Sequence, residues 1–147
     1  MSRLFIASVS LAITVGCAVA CDCAAPTIHT QKVMSSDVFV GLVRSVSESA
    51  NVRRGRVFIE RSWKGTQAGK TVVLATPSMG PACGVEFKTG DRVIVFANPG
   101  RSEELSGTLW TDVCDRSSAY PTLVAALSES LGTPVSTAKL SPSWRWW

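Results

Sequence analysis

Short apolar segments rich in β-branched and aromatic residues recur along the middle of the chain, and glycine- or proline-containing turns separate them. Segments of this length and composition are typical of strands that are buried on one or both faces. The pattern predicts five strands, at 38–43, 57–63, 71–75, 92–97 and 106–111. Regularly spaced strands of this kind favour a small closed barrel. We therefore expect an all-β fold.

The hydrophobic period changes towards the C-terminus. Leu123, Leu127 and Leu131 recur at intervals of four residues, and Gly132 follows at the position of a C-terminal cap. This spacing predicts one helix that flanks the barrel.

Beyond Gly132 the chain is rich in Pro, Ser and Thr, and it ends in three tryptophans around Arg145. We expect residues 133–147 to form a flexible, Trp-rich tail. Its tryptophans could rest at a lipid headgroup boundary or dock on a partner. Alternatively, the tail folds back on the barrel.

The first twenty residues have the features of an export signal. Arg3 precedes the uncharged run 4–15, and small residues continue up to Ala20. The apolar run is shorter than the ~20 residues that a membrane-spanning helix needs. We expect cleavage after Ala20 and a secreted, extracellular or periplasmic product. Lipoprotein processing at Cys17 or Cys21 is the alternative, since each follows small residues.

Four of the five cysteines remain after this cleavage, and residues 21–132 have the length of one domain. An even number of cysteines in an exported chain suggests two disulfides, and four cysteines allow three pairings. Spacing alone does not choose among them. A reduced Cys21-x-Cys23 pair could instead bind a soft metal ion.

Cleavage after Ala20 would make Cys21 the first residue of the mature chain. A terminal cysteine held by a disulfide presents its free α-amino nitrogen next to its own carbonyl oxygen. These two atoms form a five-membered chelate for a metal ion, which is one way to inhibit a metalloenzyme.

The formal net charge of +4 is spread along the chain. The one basic cluster is Arg53-Arg54-Gly55-Arg56, which we interpret as a solvated turn rather than a polyanion site. We therefore expect no nucleic-acid partner. A weaker alternative is a single-stranded or polyanionic ligand on the barrel face, with Trp63 beside Lys64, and Arg56 beside Phe58, as the candidate contacts. Phe58 is expected to belong to the core.

Catalytic patterns are weak in this chain. His29 is the single histidine, and its neighbourhood lacks the residues that would complete a nucleophilic triad, so an exposed loop position is expected. Asp112 and Asp115 flank Cys114 and could form a carboxylate pair, but solvated charges at a strand end explain them equally well. We expect no enzymatic activity and no cofactor.

Several short motifs occur in an order that resembles the N-terminal domain of tissue inhibitors of metalloproteinases and the wider netrin-like modules. The resemblance covers nearly all of residues 21–131. Its motifs are Cys21-Asp22-Cys23, Ser36-Asp37-Val38-Phe39-Val40-Gly41, Trp63-Lys64-Gly65, Thr76-Pro77-Ser78, Ala82-Cys83-Gly84-Val85 and Val113-Cys114-Asp115.

The resemblance implies a five-stranded OB-fold barrel of the netrin-like type with flanking helices. It also implies which cysteines pair: Cys21 with Cys83, and Cys23 with Cys114. Both bridges would pin the N-terminal segment to the barrel. Without them the terminus would be a frayed end that could not offer a rigid chelate.

The resemblance further implies a mechanism and a partner, a zinc metalloprotease whose active-site cleft is filled by an inhibitory wedge. The amine and carbonyl of Cys21 would bind the catalytic zinc of the target and displace its water, because catalytic zinc keeps an open position. The inhibitor itself would need no cofactor and is expected to be a monomer. The wedge comprises Cys21, Asp22, Cys23, Ala24 and Ala25, together with Pro81 and Ala82 before Cys83.

Asp22 departs from the family pattern. The residue after the terminal cysteine enters the main specificity pocket of the target, and animal inhibitors typically have serine or threonine there. A carboxylate in an apolar pocket costs several kcal/mol of desolvation. The resemblance therefore points to a target with a basic or water-filled pocket. A non-inhibitory netrin-like adhesion or binding module of the cell envelope, in particular a lipoprotein, is the alternative function.

Overall fold

The computed structural model describes residues 21, 23–24, 26–78 and 83–139. The predicted signal peptide, 1–20, lies outside the described residues. Strands are the commonest regular element of the described chain, and they belong to one sheet with a helix packed on one side. The prediction of a strand-rich fold with a flanking helix is therefore confirmed.

Within the described residues there are six strands, two α-helices and two short 3-10 helices. The strands are β1 (Asp37–Ser49), β2 (Val52–Lys64), β3 (Thr71–Pro77), β4 (Arg92–Pro99), β5 (Leu109–Trp110) and β6 (Ser136–Thr137); the helices are α1 (Ile28–Met34) and α2 (Pro121–Leu131); the 3-10 turns are Glu103–Leu105 and Val113–Asp115.

The first five strands close into a ring. Strand β1 pairs antiparallel with both β2 and β4, and β2 pairs antiparallel with β3. The short strand β5 pairs antiparallel with β4 and parallel with β3, which completes the ring. Strand β6 joins β2 outside this ring.

All five predicted strands are present, but β1 and β2 are longer than predicted. They extend to a tight turn at Ala50 and Asn51, which both have positive φ angles, 49° and 61°. This hairpin contains the basic cluster 53–56, which therefore lies in β2 and not in a solvated turn. The fifth strand is shorter than predicted because Gly107, with a φ of 73°, belongs to a turn.

The apolar side chains form two clusters, on opposite faces of the strands, as the alternation along each strand requires. The cluster inside the ring contains Phe39, Val43, Val57, Ile59, Leu74, Val85, Phe87, Val93, Val95 and Ala97. The cluster beneath α2 contains Val38, Val40, Trp63, Ile94, Phe96 and Val124, with Leu127 and Leu131 packed against it. The predicted helix and its cap at Gly132 are both observed.

Helix α1 has no counterpart in the predicted elements. Its N-cap is Thr27, whose side chain accepts from the backbone N–H of Thr30, and Gln31 is its buried residue. The helix thus buries a polar residue instead of an apolar stripe, so the hydrophobic pattern gives no sign of it. His29 is exposed on this helix rather than in a loop.

The segment that follows α2 pairs with the sheet. The backbone N–H of Val135 donates to the carbonyl of Ser62, and that of Ala138 donates to the carbonyl of Glu60, each at 2.8 Å. Residues 133–139 therefore lie along β2, as in the alternative in which the tail folds back on the barrel. The tryptophans of the predicted tail fall within 140–147, outside the described residues.

Candidate functional site

Two disulfides attach the N-terminal segment to the ring. Cys21 is bonded to Cys83, with their Cα atoms 5.8 Å apart, and Cys23 is bonded to Cys114, with their Cα atoms 5.3 Å apart. These are the two pairs that the resemblance implies. Each bridge crosses a long stretch of chain, 62 and 91 residues respectively. Two bridges at alternate residues restrain both the position and the direction of this segment.

A third contact continues the attachment. The guanidinium Nε of Arg116 donates a hydrogen bond to the carbonyl of Pro26. Arg116 has a φ of 63° and caps the 3-10 turn that carries Cys114. Its side chain thus reaches back to the N-terminal segment from the same turn that anchors Cys23.

The position of Cys83 depends on the residue that follows it. A Cβ atom at Gly84 would overlap the carbonyl oxygen of Pro77 at the end of β3, so only glycine allows this close approach. The carbonyl of Cys83 accepts from the N–H of Val113 at 3.0 Å, and the N–H of Val85 donates to the hydroxyl of Thr76 at 2.9 Å. The two disulfide-bearing segments are thereby linked to each other and to β3.

Two carboxylates fix the turn that carries Cys114. Asp112 accepts from the backbone N–H groups of Cys114, at 2.8 Å, and Asp115, at 3.2 Å. The Asp115 side chain accepts in return from the N–H of Asp112, at 3.3 Å, which completes a capping box. The two carboxylates therefore shape the disulfide turn and are not solvated strand-end charges.

Asp115 also connects this turn to helix α1. Its Oδ1 atom accepts from the side-chain amide of the buried Gln31, at 3.2 Å. Burial raises the pKa of the Asp115 carboxyl, and the negative charge of Asp112 raises it further. The turn, the helix and the N-terminal segment thus form one packed unit.

Residues on either side of the turn are also hydrogen-bonded to β4. Thr111 donates from its hydroxyl to the carbonyl of Phe96 at 2.9 Å, and the N–H of Phe96 donates to the hydroxyl of Ser117 at 2.8 Å. Thr111 and Ser117 are buried and hydrogen-bonded to each other. The Cys114 end of the second disulfide is therefore held by the ring itself.

The predicted wedge residues are only partly described. Cys21 and Ala24 are exposed, and Cys23 is half-buried. The other four predicted wedge residues lie outside the described residues; they are Asp22, Ala25, Pro81 and Ala82. Within the described part, the structure gathers the first cysteines, Cys83 and Cys114 at one site.

The residues of the Trp63-Lys64-Gly65 motif connect elements to one another. The indole N–H of Trp63 donates to the carbonyl of Gly132 at 2.7 Å, and Lys64 Nζ donates to the carbonyls of Lys32 and Val33 at the end of α1. Gly65 has a φ of 76°, and a Cβ there would overlap the carboxylate of Asp37. This motif has a structural role.

An apolar rim borders the Cys114 turn, and the hydrophobic pattern did not single it out. We give this name to Val113, Tyr120 and Leu123, whose exposed fractions are 39%, 68% and 47%. They line a shallow groove between the turn and α2, together with Arg116 and Leu127. Exposed apolar residues grouped in this way are characteristic of interaction surfaces.

Neither a cluster of metal-ligating side chains nor a membrane-spanning helix is present in the described ranges. They contain no group of three or more His, Cys, Asp or Glu side chains placed to hold a metal ion. None of the helices in the described part is long and apolar enough to cross a bilayer. The two disulfides indicate an oxidising environment such as the cell exterior or the periplasm.

Comparison with known proteins does not extend this description. A scan against models of protein families finds no match, and a search of curated proteins finds no significant match.

Proposed function

We propose that this protein is an exported inhibitor of zinc metalloendopeptidases, and that it acts through the amine and carbonyl of Cys21. The observation that carries the proposal is the double attachment of the N-terminal segment, by Cys21–Cys83 and Cys23–Cys114. A segment held in this way loses little conformational entropy on binding, which favours tight association.

The chemistry of the chelate requires cleavage after Ala20. The α-amino nitrogen of Cys21 then joins its carbonyl oxygen as a ligand pair for the zinc of the target. The amine must be neutral to bind zinc, and its ordinary pKa is about 7.7. Protons compete with zinc for this nitrogen, so inhibition weakens as the pH falls.

The exposure pattern around the chelate is compatible with entry into a cleft. Cys21 and Ala24 are exposed, and Ala24 is small. The apolar rim of Val113, Tyr120 and Leu123 adds contact area beyond the chelate. Additional area is needed because stable complexes bury about 800 Å² on each partner.

The fold proposal accompanies the functional one. We propose that the five-stranded ring is a closed OB-fold barrel of the netrin-like type. The antiparallel succession of β1, β2 and β3, closed through β4 and a parallel β3–β5 pairing, supports this proposal.

The decisive experiment changes the N-terminus and leaves the side chains as they are. Hydrolysis of a fluorogenic peptide by a panel of zinc endopeptidases is measured with two forms of the disulfide-bonded protein. One begins at Cys21, and the other has one alanine before it. A metal bond contributes several kcal/mol, so the extension should weaken inhibition by about a hundredfold or more.

An alanine added after Trp147 is the matched control, and it should leave the inhibition constant unchanged. Equal inhibition by the form extended before Cys21 would show that the chelate is not used. If the form with a free Cys21 amine inhibits no enzyme of the panel, the non-inhibitory binding module becomes the better proposal.

Asp22→Thr tests the specificity of the same site. If Asp22 enters an apolar pocket of an ordinary metalloprotease, removal of its charge should strengthen inhibition, by roughly tenfold or more, because several kcal/mol of desolvation are avoided. A constant that is unchanged or weaker would mean that Asp22 does not occupy such a pocket.

A further inference from the structure

We propose that the segment 117–120 is a docking site for an extended peptide segment of another protein, which pairs with it as an added β-strand. The peptide carries apolar side chains and one carboxylate. We call the segment 117–120 the open edge. This proposal goes beyond protease inhibition, because the pairing uses backbone groups next to β4 and does not involve the amine of Cys21.

The open edge is paired with the sheet on one side only. Ser118 and Ile94 of β4 exchange two backbone hydrogen bonds, at 2.9 and 3.0 Å. In an antiparallel pair of this kind, the N–H and C=O groups of the flanking residues point the opposite way. Within the described residues, the backbone groups of Ser117 and Ala119 have no hydrogen-bond partner. The N–H and C=O of both residues are therefore available on the side away from β4.

The burial of these residues makes their unpaired backbone groups unusual. Ser117 is only 7% exposed, and Ala119 is half-buried. Buried backbone groups in folded proteins are nearly always hydrogen-bonded. The side chain of Ser117 is bonded to Phe96 and Thr111, so it does not satisfy its own backbone. A partner strand would supply the hydrogen bonds that this segment lacks.

A hollow of about 180 Å³ runs along the open edge. It is lined by the segments 84–86 and 117–120 and by Val113, and none of these residues belongs to β4. The hollow therefore lies on the side where the backbone groups are unpaired. Val113 and Tyr120 also line the groove between the Cys114 turn and α2, so the hollow and the groove are continuous. An extended peptide in the hollow would reach the apolar rim.

The side chains around the open edge indicate the chemistry of the peptide. The apolar rim favours apolar side chains. Arg116 lines the same groove, and none of the ion pairs among the described residues includes it. Its Nε atom donates to the carbonyl of Pro26, which leaves the Nη groups as donors for a carboxylate. Glu86 is exposed and lines the hollow but not the groove, so a carboxylate is favoured at the Arg116 end.

A second unpaired edge, in the β1–β2 hairpin, is less suited to strand addition. Strand β4 pairs with β1 along 37–42 only, so β2 is the one strand partner of residues 45–49 in the described structure. Most of that edge is exposed, and Glu48 is ion-paired with Arg53 there. Charged, solvated edges resist the addition of a strand. The open edge carries no charged side chain and borders the apolar rim, which favours it as the site of pairing.

Titration of the exported, processed protein with a peptide, followed by nitrogen-15 NMR, tests the proposal. The probe is a short peptide of alternating valine and threonine with one aspartate, acetylated and amidated at its ends. We expect the amide signals of Ser117 and Ala119 to shift. Their hydrogen exchange should slow about tenfold when the peptide concentration is about tenfold above its Kd.

Changes to the peptide backbone and to the rim separate strand pairing from apolar contact. The same peptide with all of its amides N-methylated loses at least two hydrogen bonds and should bind about 25-fold more weakly. Tyr120→Ser removes rim area and should weaken binding about fivefold, while serine suits the N-cap position of α2. The matched control is Met34→Ser on α1, where the side chain is 65% exposed against 68% for Tyr120. It should stay within about twofold.

A cycle of peptide and protein variants tests the charge contact. Replacement of the peptide aspartate by asparagine should weaken binding to the unmodified protein about threefold, as for a surface ion pair. In Arg116→Gln the two peptides should bind equally. An undiminished preference for the aspartate peptide in this variant would show that the carboxylate does not meet Arg116.

Three results would overturn the proposal: no shift of the Ser117 and Ala119 signals at millimolar peptide, shifts confined to residues 45–49, or equal binding of the N-methylated peptide. Protection of the same two amides by self-association, without peptide, would make a second copy of the chain the occupant and would also overturn it. Thermal unfolding of each variant checks that it is folded. The titration contains no protease, so its failure is distinguishable from failure of the proposed function.

Discussion

The two ends of the described chain are fastened to the same ring in different ways. At the N-terminal end, Cys21 and Cys23 are covalently bonded to segments far along the chain. At the C-terminal end, residues 133–139 are held by hydrogen bonds, such as those from Val135 to Ser62 and from Ala138 to Glu60.

This difference separates a rigid end from an end that can open. A backbone hydrogen bond contributes about 1 kcal/mol and opens locally, whereas a disulfide persists through such openings. A chelating site needs atoms that are held in fixed positions, which the disulfide-bonded end provides. We expect inhibition to depend on the N-terminal end alone, so substitutions at the two ends should differ in their effect on it.

Loss of the second disulfide should have the largest effect. Cys23→Ser/Cys114→Ser removes a bridge across 91 residues, which the chain-entropy model values at about 4.6 kcal/mol as an upper figure. Denaturant unfolding measures the loss of stability. Inhibition should fall as well, because the segment keeps one bridge only. Inhibition at the level of the unmodified protein would show that the rigidity argument is wrong.

Gly84→Ala should be the next most disruptive change. The added methyl group would overlap the carbonyl of Pro77, so the Cys83 segment must move, at a cost of about 2–4 kcal/mol. Gly69→Ala is the control, because a Cβ at Gly69 would meet nothing within 4 Å. The positive φ of 88° at Gly69 is unfavourable for alanine and should cost about 1 kcal/mol of unfolding free energy. Equal unfolding free energies for the two variants would contradict the close approach.

Trp63→Phe probes the C-terminal end. Phenylalanine keeps an aromatic ring in the cluster beneath α2 but cannot donate to the carbonyl of Gly132. The expected loss is about 1–2 kcal/mol of unfolding free energy, with unchanged protease inhibition. A drop in inhibition comparable to that of the disulfide variant would show that the two ends are coupled.

Asp115→Asn should have the smallest effect, and a pH-dependent one. The pKa of Asp115 is raised in the folded state, so above about pH 4 the folded protein binds more protons than the unfolded chain. Stability therefore falls as the pH rises from about 4 through the raised pKa of Asp115. Asparagine removes this fall. Its single oxygen can accept from Gln31 but not also from the N–H of Asp112, so any loss of that hydrogen bond lowers stability equally at every pH. Thermal unfolding at pH 3.5 to 7 should therefore show a flatter profile for the variant; parallel profiles would contradict the assignment.

The sequence was most informative for elements whose hydrophobic residues are buried at regular intervals. The strands at 38–43 and 92–97 and the helix ending at Gly132 were predicted because their apolar periods match their packing. Helix α1 was missed because it buries Gln31. The full length of the β1–β2 hairpin was not predicted. Its outer half, around the turn at Ala50 and Asn51, consists mainly of polar residues, so the hydrophobic pattern did not indicate strands there.

Some features of the candidate site could likewise be predicted from the sequence, and others could not. The resemblance implied the two cysteine pairs that the structure contains, and the cleavage motif predicts Cys21 as the first residue of the mature chain. The roles of Asp112, Asp115 and Gly84 could not be predicted, since each depends on a contact with another segment: the capping box and Gln31 for the aspartates, and the carbonyl of Pro77 for the glycine.

By itself, the sequence determined a strand-rich chain with a helix towards its C-terminal end, because local hydrophobic periodicity encodes these properties. The tertiary structure alone decided that five strands close into a ring and that residues 133–139 return to β2. It also decided that Arg44 of β1 lies over the ring of Phe58 on β2. Register and long-range contacts set these features, and neither is written in any single segment of the chain.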